Sequence, residues 1–439
     1  MKPKLRKHLS VPALLKRVHS QFQKIKDPIK AKTKFSLIDC LMSGVALFGM
    51  KYPSLLQFDE AARSQDRIRH NLKSLYQVNL APSDTYFRER LDSLSASQLQ
   101  PAINRIIAQL QRAKILENFR FMDEYYLVSI DGTGYFSSHE IFCESCCVKN
   151  HRDGTKTYYH QLLAAVLVHP ELRTVLPLML EPIVKQDGAT KNDCEHSALK
   201  RLLQNLKRAH PHLKLLVTLD GLYADGVIIK LLKQLKIKFI ITALPSDLKY
   251  LYEFYHASKK ECLQERSEKI YSHYEWKEKL PINDVHYECE VNLLCYEEMV
   301  EKKKKTVRQK FSWITDLPLS KNKVALIMRG GRARWKIENE TFNTLKNQGY
   351  QFEHNFGHGK HQLSVVMAYL MFIAFLIDQV QEYCCKYFQA ALKRVKRLSR
   401  LWERMRGLFI HYWVDSWDDL YTAIIEDKSA NLRDIINTS

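Results

Sequence analysis

Two apolar runs, each ending on an aspartate, constrain this chain more than any other feature. Glu124 to Ile130 (EYYLVSI) leads into Asp131 and Gly132-Thr133-Gly134, and Leu213 to Leu219 leads into Asp220-Gly221. Such runs, unbroken by polar alternation, belong to strands buried on both faces. Tyr158 to Val168, Thr174 to Leu180 and Lys238 to Leu244 read as further strands. Between them, Asn192 to Ala209 carries Leu199, Leu202, Leu203 and Leu206 at helical spacing, and a second helix is expected from about Asp225 to Leu235. Three strands followed by strand, helix and strand predict an α/β fold built on a mixed sheet.

The flanks differ from this core. Apolar residues recur at helical spacing from Phe35 to about Ala113, as in Leu37, Cys40, Leu41, Val45 and Leu47, and Ser83 or Asp84 is placed to cap a helix beginning TYFRERLDSL. Residues 246–310 are charged, and Val285 to Cys295 alternates apolar and polar, which predicts a β-rich insertion with Glu301 to Lys305 at a hairpin tip. Phe311 to Thr315 returns to a strand and Arg334 to Leu345 to a helix. Leu363 to Ile377 is the longest apolar run at 15 residues, short of the roughly 18 a spanning helix needs, so a buried core helix is expected and no membrane. The expected division is 1–115 (basic arm and helical domain), 116–245 and 311–380 (two parts of the core), 246–310 (insertion) and 381–439 (basic helical segment with an acidic tail).

Charge points to the partner. The net charge is +20; residues 1–34 hold eleven Lys and Arg against Asp27, and residues 381–406 hold eight against Glu382 and Glu403. Clustered positive charge attracts a polyanion through counterion release, and nucleic acid is the expected partner. Val11 to Leu15 is too short for a secretory core, and ten cysteines without such a leader suggest reduced thiols in a cytoplasm. There is no G-x-S-x-G and no G-x-x-x-x-G-K-[ST], so serine-hydrolase and ATP-driven chemistry have no support.

Asp131, Asp220 and Glu338 stand out by position. Acids at the ends of buried strands are costly unless paired or bound to cations. Taken singly, each aspartate reads better as an ordinary helix cap or turn former; together, and with the basic arms, the functional reading is favoured. Three converging carboxylates would instead supply hard oxygen ligands for Mg²⁺ or Mn²⁺, and a pair of such ions can drive phosphodiester displacement.

SIDGTGYFSS at 129–138, TLDG at 218–221 and RARWKIENETFNTLK at 332–346 resemble the three motifs of the DDE transposases of bacterial insertion sequences, in the cut-and-paste class. DGATKNDCEHSALKRLL at 187–203, SDTYFRERLD at 83–92 and FEHNFGHGKHQLS at 352–364 extend the likeness over roughly residues 35–380. The resemblance implies an RNase H-like mixed sheet with a β-rich insertion, behind an N-terminal helical DNA-binding domain. It implies metal-dependent cleavage at transposon ends and strand transfer, with Asp131, Asp220 and Glu338 as the catalytic and metal-binding triad and Mg²⁺ or Mn²⁺ as cofactor. Arg334, Arg332 and Lys346 would contact DNA. The partners implied are double-stranded DNA, as terminal inverted repeats and target, and a second protomer, in a bacterial cytoplasm at the nucleoid. A catalytically inactive DNA-binding descendant or a stand-alone RNase H-like nuclease are the alternatives. That family's third motif carries a Tyr three before the Arg and a Lys seven after the Glu; here those positions are Gly331 and Leu345, and a Lys stands one further on at Lys346. Glu340 competes with Glu338, but two residues along a helix is about 200°, and Glu338 follows Arg-Trp-x-Ile at i+4 from Arg334.

Cys143-x-x-Cys146-Cys147 has metal-ligand spacing, with His151 nearby and His160 or Cys194 available to add a ligand. A closed zinc site wants four ligands and no second CxxC exists, so buried structural thiols are expected. His354, His358 and His361 are expected to contact DNA or to hydrogen-bond around the active site. Trp276 and Trp313 are expected to pack, although an insertion Trp can stack on a flipped base in transposases of this class.

Overall fold

The computed structural model describes residues 7–28, 34–187, 191–267, 270–302 and 305–426. Parts of the expected basic arm (1–6 and 29–33), Lys303 and Lys304 of the hairpin tip, and the acidic tail from 427 lie outside the described residues.

Six helices come first: α1 (Val11–Phe22), α2 (Leu37–Gly49), α3 (Leu55–Ser64), α4 (Asp66–Tyr76), α5 (Asp84–Asp92) and α6 (Gln100–Arg112). Ser36, Ser54 and Ser83 cap α2, α3 and α5 by accepting the backbone N–H three residues on, which satisfies donors that a helix start leaves free.

The core sheet follows, with β1 (Arg120–Phe121), β2 (Tyr125–Ser138), β3 (Cys147–Asn150), β4 (Lys156–His169) and β5 (Leu172–Ile183). After α7 (Lys191–Ala209) come β6 (Leu215–Leu219), α8 (Gly226–Gln234) and β7 (Lys238–Thr242). The order is β5-β4-β2-β6-β7. β4 is antiparallel to both β5 and β2, whereas β6 is parallel to β2 and β7 parallel to β6. Three antiparallel strands extended by two parallel ones give the RNase H-like topology. β2 does not stop at Asp131. It continues to Ser138 because β4 pairs with it from Val128 to Ser138, through a bulge between Gly134 and Phe136.

The insertion opens with a helix, α9 (Lys249–Ala257), then forms an antiparallel meander of β8 (Glu261–Arg266), β9 (Ile270–Pro281), β10 (Glu290–Lys302) and β11 (Lys305–Thr315). The expected edge at residue 310 falls inside β11, a single strand whose far end pairs Trp313, Ile314 and Thr315 with β7. Insertion and core thus share one continuous sheet. Val285 to Cys289, expected as strand, precedes β10 as a turn.

After β11 come α10 (Val324–Arg332), a 3₁₀ turn (Ala333–Trp335), a π-helical turn (Ile337–Phe342) and α11 (Asn343–Asn347). The last described helices are α12 (Leu363–Cys384), α13 (Lys386–Val395), α14 (Leu398–His411) and α15 (Trp417–Glu426). α12 is long and apolar enough to cross a membrane by length and composition, yet 89% of its most apolar stretch is buried inside the protein. Side chains of α6 and α12 cover the outer edge of β5. Gln100 Nε2 donates to the Leu178 carbonyl at 2.8 Å, Tyr369 OH to the Leu180 carbonyl at 2.7 Å, and Val175 N to Gln379 Oε1 at 3.0 Å. Those contacts satisfy backbone groups that an open sheet edge would leave for intermolecular pairing. The first and last helices also join: Asn71 Nδ2 on α4 donates to the carbonyls of Phe409 and Tyr412, both at 2.8 Å, and α2 packs along α12.

Candidate active site

β2 and β6 run parallel and in register as far as Ser129 opposite Thr218. Two residues further along stand Asp131, midway along β2, and Asp220, just past the end of β6, so the two carboxylates come from neighbouring parallel strands at matching positions. In open α/β sheets the carboxyl end of the strands, where connections part to opposite sides, is where ligands bind. Asp220 precedes a 3₁₀ turn (Gly221–Tyr223), but its side chain makes no capping hydrogen bond. The carboxylate is left for another use.

Arg334 reaches both acids. Its Nη1 donates to Asp131 Oδ2 at 2.8 Å, and its Nη2 lies 3.7 Å from Asp220 Oδ1. The backbone is held in place by Ser129 Oγ, which donates to the Arg334 carbonyl at 2.9 Å, and the guanidinium lies over the Trp335 ring, 4.6 Å from its centroid. The other Asp131 oxygen accepts from Gly132 N at 2.8 Å. Burial raises the Asp131 pKa above the usual carboxylate range, and the charges of Asp220 and Glu195 add to that; Arg334 and the Gly132 N–H oppose it.

The segment carrying the third acid is not the single helix its periodicity predicts. A 3₁₀ turn gives way to a π-helical turn at Ile337–Phe342, and such widened turns recur at functional sites. The π turn packs on β2 and β5. Lys336 Nζ donates to the Leu172 carbonyl at 2.8 Å, and Glu340 Oε2 takes Arg173 Nε at 3.3 Å. Residues 336 and 340 therefore face the start of β5, with the Glu340 carboxylate already paired. Glu338 is exposed, four residues beyond Arg334, and has no basic partner among the described residues. Within this segment it is Arg334 that touches the two aspartates.

Glu195, on α7, joins the group unannounced by the sequence reading. Its Oε1 accepts from Tyr223 OH at 2.7 Å, and a Cβ placed on Gly132 would lie 3.2 Å from that oxygen. Tyr223 is fully buried, and its phenol is pushed well above its ordinary pKa by burial foremost, then by Glu195, Asp131 and Asp220. The only sequence signal was its position in the stretch 187–203.

A cleft of about 700 Å³ opens beside Asp220, between β7, α9, the insertion strands and the Arg332–Trp335 turn. Of the three motif acids only Asp220 lines it. Its wall carries Lys260, Lys310, Arg332 and Arg334 together with Asp220, Glu275 and Glu297, and Trp335 is 50% exposed at its side. Arg332 is paired with Glu298 at 2.8 Å and lies 4.9 Å from the Phe311 ring centroid. Lys346 pairs with Glu353 at 2.8 Å. Trp276 and Trp313 are both buried. The departures from the family's third motif have a packing cause. A Cβ on Gly331 would lie 2.4 Å from Trp313 Nε1, which leaves no room for a tyrosine, and Leu345 is a fully buried core residue.

Residues 143–377, just over half of the chain, match the family model described as "Transposase DDE domain". The chain belongs to this DDE transposase family. The matched interval contains Asp220, Arg334 and Glu338, and begins twelve residues after Asp131. No curated protein matches the sequence. A solved piggyBac transposase synaptic complex with hairpin DNA is similar over 94% of this chain and 77% of that one, at 10% identity and a TM-score of 0.41. That likeness is too distant to carry an argument about the site. For a DDE transposase, hard carboxylate oxygens from Asp131 and Asp220, both contacted by the Arg334 guanidinium, are of a donor type suited to divalent metal.

Proposed function

We propose that the protein cuts DNA at the ends of a bacterial insertion sequence and joins the freed ends to target DNA, with Asp131, Asp220 and Glu338 holding Mg²⁺ or Mn²⁺. The observation that carries this reading is the pair of aspartates at matching positions on two parallel strands, bridged by Arg334. Arg334 now offsets the charge of these two acids, and a divalent ion would take its place at their oxygens.

When bound, divalent ions supply Lewis acidity to the phosphodiester and lower the pKa of an attacking water or hydroxyl. The chain's own residues do the remaining work. Asp131 and Asp220 present oxygens from a rigid sheet. Arg334, tied down by Ser129, keeps the two carboxylates together and offers its guanidinium to phosphate once they are engaged elsewhere. Glu338, unpaired on the neighbouring turn, adds the third carboxylate. Lys260, Lys310 and Arg332 draw the DNA backbone into the cleft, with Trp335 as an exposed aromatic surface beside it.

The basic helical segments before and after the core bind the terminal repeats, and two protomers act on paired ends in the cytoplasm at the nucleoid. The test is cleavage of labelled terminal-repeat DNA with and without Mg²⁺, by wild type and Asp220→Ala. Metal-dependent cutting lost in the variant, with DNA binding kept, supports the reading. Equal cutting by both sinks the assignment of the acids. Binding without cutting by the wild type leaves a DNA-binding protein without transposase activity.

A further inference from the structure

A second cluster of metal-ligating side chains plays no part in the chemistry above. Cys143 and Cys146 lie in the loop between β2 and β3, His160 on β4, and His358 in the loop leading to α12. Their ligand atoms all fall within 4.8 Å of one another. The two Sγ atoms are 3.7 Å apart. His160 Nε2 is 3.4 Å from each, and His358 Nε2 is 3.5 Å from Cys146 Sγ.

Those four separations match four of the six edges of a tetrahedral site. With Zn–S near 2.3 Å and Zn–N near 2.05 Å, tetrahedral angles place sulfurs about 3.7 Å apart and sulfur about 3.5 Å from nitrogen. A disulfide would need about 2.05 Å between the sulfurs. Cys146, His160 and His358 are buried. His358 Nδ1 has no hydrogen-bond partner, so the polar requirement of that buried ring falls on Nε2, which faces the cluster. The backbone is shaped for the purpose: Gly357 at φ 137° and Gly359 at φ 71° take conformations that favour glycine and turn His358 inward.

The sequence reading expected structural thiols, with His151, His160 or Cys194 as candidate partners and His358 at DNA or around the active site. The structure differs on the fourth ligand. His151 Nε2 is spent on Thr157 Oγ1 at 2.7 Å, Cys194 Sγ lies 3.9 Å from the Lys185 carbonyl, and Cys147 Sγ lies 3.7 Å from the Ile183 carbonyl. His358, 212 residues from Cys146, is out of reach of any local spacing rule.

We propose that Cys143, Cys146, His160 and His358 bind one structural Zn²⁺. All four positions are protein ligands, so the site is closed and holds no open position for catalysis. Both thiols give up their protons to solvent on binding. The ion would join three segments, the loop between β2 and β3, β4, and the loop before α12. β4 at His160 pairs with β2 at Phe136, five residues beyond Asp131, and the His358 loop follows the turn that carries Glu338. Zinc would thereby fix the first-motif strand relative to the third-motif segment. Soft sulfur and imidazole donors also separate this site from the hard carboxylates.

The experiment is metal analysis of the full-length protein purified without chelator from zinc-supplied cells, by plasma mass spectrometry with parallel thiol mapping. The expected result is close to one zinc per chain in wild type and in Cys147→Ser, and loss of at least about nine-tenths of it in Cys146→Ser/His358→Ala. Should that variant fail to fold, wild type exchanged with Co²⁺ is the second measurement. Tetrahedral ligand-field bands together with a thiolate charge-transfer band support the site, and octahedral Co²⁺ or no uptake overturns it. A zinc-free wild type, full zinc in the double variant, or a Cys143–Cys146 disulfide would each overturn the proposal.

Discussion

Arg334 Nη1 donates to Asp131 Oδ2 at 2.8 Å, and the same guanidinium extends to Asp220. A side chain of the third motif therefore neutralises the acids of the first two. The carboxylates can sit together because a fixed cation lies between them.

Arg334 competes with divalent ions for those oxygens. Arg334→Ala should bind Mn²⁺ more tightly by about 2 kcal/mol, the worth of a charge-assisted hydrogen bond, while cutting DNA more slowly. Calorimetric Mn²⁺ titration and cleavage rates would show the two effects with opposite signs.

Glu338 and Glu340 should behave differently. Glu340 is held by Arg173, so Glu340→Gln should leave cleavage within about threefold of wild type. Glu338→Gln should lower kcat by about a hundredfold or more, as loss of a group acting directly on the reaction does. Single-turnover rates on terminal-repeat DNA separate the two.

The helical body holds a buried ion pair whose loss should be costly. Lys51 Nζ is 2.7 Å from Asp378 Oδ2, which also accepts from Tyr350 OH at 2.6 Å, and the ammonium lies over the Tyr350 and Trp402 rings. Lys51→Met strands a buried carboxylate and should destabilise by about 3–5 kcal/mol. Lys51→Met/Asp378→Leu should recover most of that loss in denaturant unfolding.

His210, buried at the end of α7, has its pKa pushed down to about 4 by burial. Between that value and the ordinary 6.5 the unfolded chain binds the extra proton, so stability from this group is full above pH 6.5 and is lost as pH falls towards 4. The linkage amounts to about 3 kcal/mol. Unfolding free energies at pH 7 and pH 4.5 should fall further apart for wild type than for His210→Phe.

What the sequence made legible was what local pattern determines. β6 was readable to within two residues because Leu215 to Leu219 is fully buried and has no polar alternation to mislead. The end of β2 was not. Gly132-Thr133-Gly134 looks like a turn, and what extends the strand is β4, a partner some thirty residues away. The third-motif helix was readable as helical, but its 3₁₀ and π turns were not, because apolar periodicity averages over the winding. β11 crossed the expected insertion boundary because it pairs with β10 along its whole length and with β7 as well at Trp313 to Thr315, so charged and buried halves form one strand. Asp131 and Asp220 were legible as acids ending apolar runs, whereas Glu195 and His358 reach their clusters only through tertiary folding.

The most direct test of the central claim is anomalous diffraction from crystals grown with Mn²⁺. The account predicts a manganese peak within bonding distance of both the Asp131 and Asp220 carboxylates, with Arg334 turned away from them and Glu338 turned towards the ion. Crystals saturated with Mn²⁺ that show no peak there, with Arg334 still bridging the two aspartates, would contradict it.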